Sequence, residues 1–143
     1  MSTLIENMEV FPDKKEPVRR LLLSAARERK TIRYPVIYGL FEDKKELCAA
    51  TNIWNACVWM TVEEVGRELA TPQGAIYTAV LANKDGIPEG GFWDQFRNAR
   101  VEAYEKAKNL VLPRVDALEL KQKIDIANFE RERVYRHAAA HHP

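Results

Sequence analysis

The chain has 143 residues, of which 46% are hydrophobic and 30% charged; that supplies enough apolar surface for one buried core and excludes wholesale disorder. Against 22 Lys and Arg stand 21 Asp and Glu, a net charge of +1, which excludes a global field drawing the protein onto nucleic acid or an anionic membrane, and equally a surface that mimics DNA. Any nucleic-acid contact must therefore come from a local patch on a single domain.

Residues 1–15 carry Pro12 and the run Asp13-Lys14-Lys15 without periodicity and read as a loose arm. Met1 to Pro12 contain no basic segment followed by an apolar run, and no later apolar stretch is long enough for a span, so a cytoplasmic protein with no membrane contact is expected. A helix starts at Glu16-Pro17. Val18, Leu21, Leu22, Ala25 and Ala26 form its buried stripe, and Arg19, Arg20, Arg27, Arg29 and Lys30 its basic side. Thr31 to Tyr34 is short and β-prone, Pro35 disfavours helix at Tyr34, and a short helix is expected from about Pro35 to Phe41.

A loop at Glu42-Asp43 precedes a helix from Lys44 to Trp59, and Thr61-Val62-Glu63-Glu64 has the form of a capping box opening a further helix to about Ala70, where Thr71-Pro72 ends it. Ala75 to Ala82 (AIYTAVLA) reads as a strand. Asn83-Lys84-Asp85-Gly86 then supplies a turn into a second short strand at Ile87, a β-hairpin closed by Gly90-Gly91. Two long helical segments follow. One runs from about Phe92 to Leu110; the other begins after Pro113 with Asp116 and Glu119 as a possible N-terminal box, allows a break near residues 125–128, and frays from Ala138.

This order is that of a winged helix. Between Val18 and Trp93, the stretches LLLSAARERKTIRYPVIYGLF and AIYTAVLANKDGIPEGGFW resemble the DNA-binding half of alkyltransferase-like proteins. The resemblance implies a helix-turn-helix core with a β wing, commonly used on DNA. The reactive Pro-Cys-His-Arg signature of that family is missing, because Cys48 and Cys57 lie in ELCAA and NACVW, so alkyl transfer is not expected.

No other motif assigns chemistry. Cys48 and Cys57 read as reduced, buried thiols, since the three histidines lie far away at the tail. His137 and His141 have the i, i+4 spacing of a metal pair but no nearby Cys, Asp or Glu completes a set, so no metal or cofactor is expected. NKDGIPEGG lacks the spacing of a phosphate loop. The helix before the hairpin, where a winged helix places its groove-reading element, carries Glu63, Glu64 and Glu68 against one Arg67, and carboxylates there would repel phosphates.

The sequence thus predicts an α+β, mostly α fold: a loose arm (1–15), a winged-helix-like core (16–93) with one β-hairpin, and two C-terminal helices (94–143) packed on the core or on a partner. The expected function is a non-enzymatic binding module acting through a protein partner or homodimer surface, in which Phe129, Arg133, Tyr135 and Arg136 of the last helix supply the contact. The alternative is a DNA-binding regulator using Arg19, Arg20, Arg27, Arg29, Lys30, Arg33 and Lys84.

Overall fold

The computed structural model describes residues 3–143, an α+β, mostly α fold built on one hydrophobic cluster. Met1 and Ser2 of the expected arm lie outside the described residues. The rest of that arm is tied down: Ile5 bridges to Cys48, and the buried Phe11 donates its backbone N–H to Thr61 Oγ1 at 2.9 Å. A 3₁₀ turn at Pro12–Lys14 leads into helix α1, Lys15–Glu28. Helix α1 buries Val18, Leu22, Leu23, Ala25 and Ala26, the stripe expected from spacing with Leu23 in place of Leu21. It stops where Arg29 takes φ 57°, a left-handed position from which the following N–H groups close on the last carbonyls.

Strand β1 is two residues, Ile32–Arg33, and helix α2 spans Tyr34–Leu40 with Pro35 in its first turn. After a 3₁₀ segment at Glu42–Leu47, one 19-residue helix α3 runs Thr51–Leu69. The second helix start expected at Thr61 is not used. Thr61 is fully buried, and its hydroxyl donates to the Cys57 carbonyl one turn back at 2.8 Å, so it bonds within the ladder instead of capping a new one.

The expected β-hairpin is corrected. Ala75 to Ala82 is buried throughout and forms a 3₁₀ turn, Tyr77–Val80, followed by a two-residue strand β2, Leu81–Ala82. Strand β2 pairs in parallel with β1, Ile32 opposite Leu81 and Arg33 opposite Ala82, and among the described residues no antiparallel wing is present. A run with no polar face has no second side to show to solvent, and period alone cannot tell such a strand from a buried turn. The turn itself forms as expected. Asn83 Oδ1 accepts from the Asp85 and Ile87 N–H groups, with Gly86 at φ 82°.

The first closing segment is two helices, α4 (Gly91–Ala99) and α5 (Val101–Lys108), broken at Arg100. Helix α6, Leu120–His141, opens on a capping box from Glu119 and Gln122 and runs without a break near residue 125 or fraying at Ala138. Its buried stripe is Ile126, Glu130, Val134 and Ala138, flanked by Ala127 and Arg131. Glu130 is 0% exposed and meets Arg100 in a two-point contact at 2.9 and 3.2 Å. Arg131 reaches the carbonyls of Ala79 (2.6 Å), Leu81 (3.0 Å) and Gly86 (2.9 Å). Helix α6 therefore packs across α1 and the Tyr77–Val80 turn, so the residues expected to form an extension share the core of the rest.

The C-terminal turn is also docked. Arg27 Nε donates to the His142 carbonyl at 2.7 Å, and the Tyr77 hydroxyl lies 2.8 Å from His137 Nδ1. Burial, then the neighbouring His141, His142 and Arg133, holds the His137 imidazole below its usual pKa of 6.5.

Two predictions follow from this packing. Glu130→Ala leaves the buried Arg100 guanidinium without its counter-charge and is expected to cost about 3–5 kcal/mol in urea unfolding, more than replacing Glu130 and Arg100 together with Leu and Met. For His137, the unfolded state takes up a proton before the folded state does, so its contribution to stability falls away as pH drops below about 6.5. The urea midpoint of the wild type should fall further between pH 7.5 and pH 5 than that of His137→Gln; equal falls would show that this imidazole is not held neutral by the fold.

Candidate functional site

The arginines expected to face phosphates are largely engaged with carboxylates or carbonyls. Arg19 bonds Glu16 at 2.7 Å and Glu68 at 2.8 Å, Arg20 lies 3.6 Å from Glu16, and Lys30 lies 3.4 Å from Glu28. Arg29 pairs with Glu132 on α6 and lies over the Tyr135 ring, while Arg27 holds the C-terminal turn. Arg33 and Lys84 are exposed and make no ion pair among the described residues; the β1–β2 pairing brings their segments together.

Three of the four residues expected at a partner surface act within the chain. Phe129 packs edge-on against Tyr104 at 5.2 Å; Arg133 donates to the carbonyls of Gln73 (2.9 Å) and Gly74 (2.7 Å); the Tyr135 hydroxyl reaches the Lys30 carbonyl. Arg136 alone points outward, 3.9 Å from Glu132.

Cys48 and Cys57 are both buried and free, and burial pushes the Cys48 thiol up, away from thiolate. Cys57 accepts the Glu9 N–H at 3.3 Å, one of the bonds that hold the N-terminal segment. The rings of His137, His141 and His142 gather with centroids 4.4 and 5.7 Å apart, yet among the described residues no group of His, Cys, Asp and Glu is arranged to hold a metal ion.

A cleft of about 270 Å³ opens between α3, the start of α2, the Tyr77–Val80 turn and the loop into α4. Trp59 and Glu63 stand one turn apart on α3 and face it together. Tyr34 meets Trp59 edge-on at 5.3 Å, and its hydroxyl accepts the Glu89 N–H at 2.6 Å, which fixes the far rim. Phe92, the second residue of α4, closes the floor with Leu81.

Two polar groups of the residues that line this cleft have no partner, and of the two only the Glu63 carboxylate is open to it. Thr78 is 4% exposed and its Oγ1 makes no hydrogen bond. The Glu63 carboxylate makes no hydrogen bond or ion pair among the described residues, and burial raises its pKa, opposed by Arg67 and reinforced by Asp94. The Glu63 carboxylate lies where a Cβ on residue 91 would stand, 1.6 Å from Oε1, so a side chain there would swing the carboxylate aside. No Lys, Arg or His lines the cleft. Its chemistry is that of aromatic walls with hydrogen-bond acceptors, suited to a ligand that brings donors or positive charge.

Of these residues the sequence singled out Glu63, as one of the carboxylates on a helix that would repel phosphates. Trp59 and Phe92 carry the same apolar signal as any core residue, and Thr78 sits inside a run read as strand. The one available signal was the doubled glycine of IPEGGFW, which marks a close backbone approach as well as a turn.

Gly91→Ala is expected to swing the Glu63 carboxylate aside and to be less favourable in urea unfolding with Glu63 present than in a Glu63→Ala background; an equal effect in both backgrounds would show that the two residues are not coupled. No family model matches the chain, nor does any curated protein or solved structure, and the chemistry of the cleft stands on its own geometry.

Proposed function

We propose that the protein is a non-enzymatic binding module that acts through a protein partner, in a cytoplasmic setting where Cys48 and Cys57 stay reduced. The observation that carries this reading is the placement of charge. The cations of α1 are largely spent on Glu16, Glu28, Glu68 and Glu132, whereas the carboxylate of Glu63 is left unpaired in an open, aromatic-walled cleft. A duplex would meet carboxylates beside those cations. No helix among the described residues is long and apolar enough to cross a membrane.

A self-association surface is a second form of the same reading, favoured by the exposed apolar side chains on the α5–α6 connection, where Val111 is 87% exposed and Leu110 half so. The DNA-binding alternative retains Arg33 and Lys84 as its only unpaired candidates.

Formaldehyde cross-linking of the tagged full chain in the cells that make it, followed by separate protease and nuclease digestion, tests the reading. Adducts removed by protease and untouched by nuclease are expected, with no retention of labelled duplex DNA by the purified chain at 0.15 M salt, roughly the physiological ionic strength. Nuclease-sensitive adducts, or duplex binding that weakens steeply with salt, would establish the DNA-binding alternative instead, and the absence of any polypeptide adduct would remove the proposal.

A further inference from the structure

We infer that the cleft is a guanidinium site, which takes the head of an arginine from the partner, seated against Tyr34 and Trp59 and bonded to the Glu63 carboxylate. The inference rests on the protein-binding reading above and names what that partner presents.

The first support is the unpaired carboxylate. Glu63 lines the cleft, is partly exposed to it, and makes no hydrogen bond or ion pair among the described residues. The Thr78 hydroxyl, also without a partner, is closed to solvent and supplies no bond to a ligand.

The second support is the sign of the charge. Glu63 and Glu89 both line the cleft, and only Glu89 has a partner, the Asn83 side-chain amide at 3.2 Å. The nearest buried cation, Arg131, spends its donors on the Ala79, Leu81 and Gly86 carbonyls and on Asn128. Arg67, one turn after Glu63, is exposed and tempers the carboxylate without bonding it. An anionic ligand would therefore meet carboxylates with no cation lining the cleft.

The third support is shape. The volume lies below the roughly 300–1,000 Å³ of clefts that enclose drug-sized ligands, so it suits one side-chain head. A guanidinium is planar, weakly hydrated, stacks on aromatic faces and offers several N–H donors in a fixed fork, whereas an ammonium is compact and strongly hydrated. A cleft that pairs aromatic walls with a carboxylate uses those guanidinium properties. The larger groove between α4, α5 and the Val115–Ala117 turn is lined by Arg97, Arg100 and Arg114 as well as Glu102, Glu105 and Asp116, and its mixed signs select no single ligand.

The test titrates the full chain, labelled with ¹⁵N, with N-acetyl-arginine amide, N-acetyl-lysine amide, and a short neutral peptide carrying one arginine. Saturable shifts of the Trp59 indole and Gly91 amide signals are expected with both arginine probes, at least about fivefold tighter than with lysine. Glu63→Gln should weaken arginine binding about tenfold or more, because a charge-assisted bond becomes a neutral one. An unchanged urea midpoint in that variant would show that the fold is intact. Should Glu63→Gln unfold, Gly91→Ala, which displaces the same carboxylate, replaces it. The inference is overturned by an absence of saturable shifts at Trp59 and Gly91, by equal affinity in the Glu63 variant, or by lysine binding as tightly as arginine. Binding of the free amide without binding of the peptide would overturn a partner-borne source. If arginine fails while protease-sensitive adducts persist in cells, only this inference falls; if both fail, the protein-binding reading falls with it.

Discussion

Two consecutive charged residues on one helix, Glu130 and Arg131, hold the interior together. Both are buried on the face of α6 that meets the core, and each is satisfied: Glu130 by Arg100 at the break between α4 and α5, Arg131 by three carbonyls of the segment from Ala79 to Gly86. Charged groups in low dielectric are tolerated only when their partners are in place, so these bonds act as conditions on the fold. They fix the angle between α4 and α5, and they require the Tyr77–Val80 turn, β2 and the Asn83 turn to lie against α6. Apolar packing at Ile126, Val134 and Ala138 supplies attraction along the same stripe, but it is less selective about register.

The same constraint reaches the cleft. Because Arg131 holds Leu81 and Gly86, the chain leaves the Asn83 turn in a direction that carries Glu89 to the Tyr34 hydroxyl and Gly91 onto Glu63. The opposite wall is set by α3, whose unbroken course through Thr61 places Trp59 and Glu63 on one face. Thr61 is itself held by Phe11 from the N-terminal segment. The walls of the cleft are thus joined through side chain–backbone hydrogen bonds to distant parts of the chain.

The sequence was most legible where period and stop signals agreed. Helix α1, the extended Ile32–Arg33, α2 with Pro35 in its first turn, and the Asn83 turn all lie close to where spacing and turn chemistry put them. It was least legible where one residue type serves two roles. Thr61 carried a capping signature but sits inside a helix, since its hydroxyl can serve the carbonyl a turn back as readily as a free N–H. Glu130 to Arg133 alternate in sign like an exposed face, and period alone gives no warning that Glu130 falls in line with Ile126, Val134 and Ala138. The fully buried run from Ala75 to Leu81 offers no alternation to read, so a strand and hairpin were expected where a 3₁₀ turn and a parallel pairing occur. The site was nearly illegible for a further reason: its walls come from four separated segments, and only tertiary packing brings them together.

Placed beside that satisfied interior, the cleft stands out by contrast. Arg100, Glu130 and Arg131 show how this chain treats buried charge, with a partner for each and good geometry. Thr61, a buried hydroxyl on the same helix as Glu63, both donates and accepts. Beside those residues, the Glu63 carboxylate, partly exposed and without a partner on a cleft lined by Tyr34, Trp59 and Phe92, stands apart. Local rules are broken in native proteins mainly where function asks for it. What Glu63 lacks is a donor, and a partner that brings donors on a planar cation supplies it.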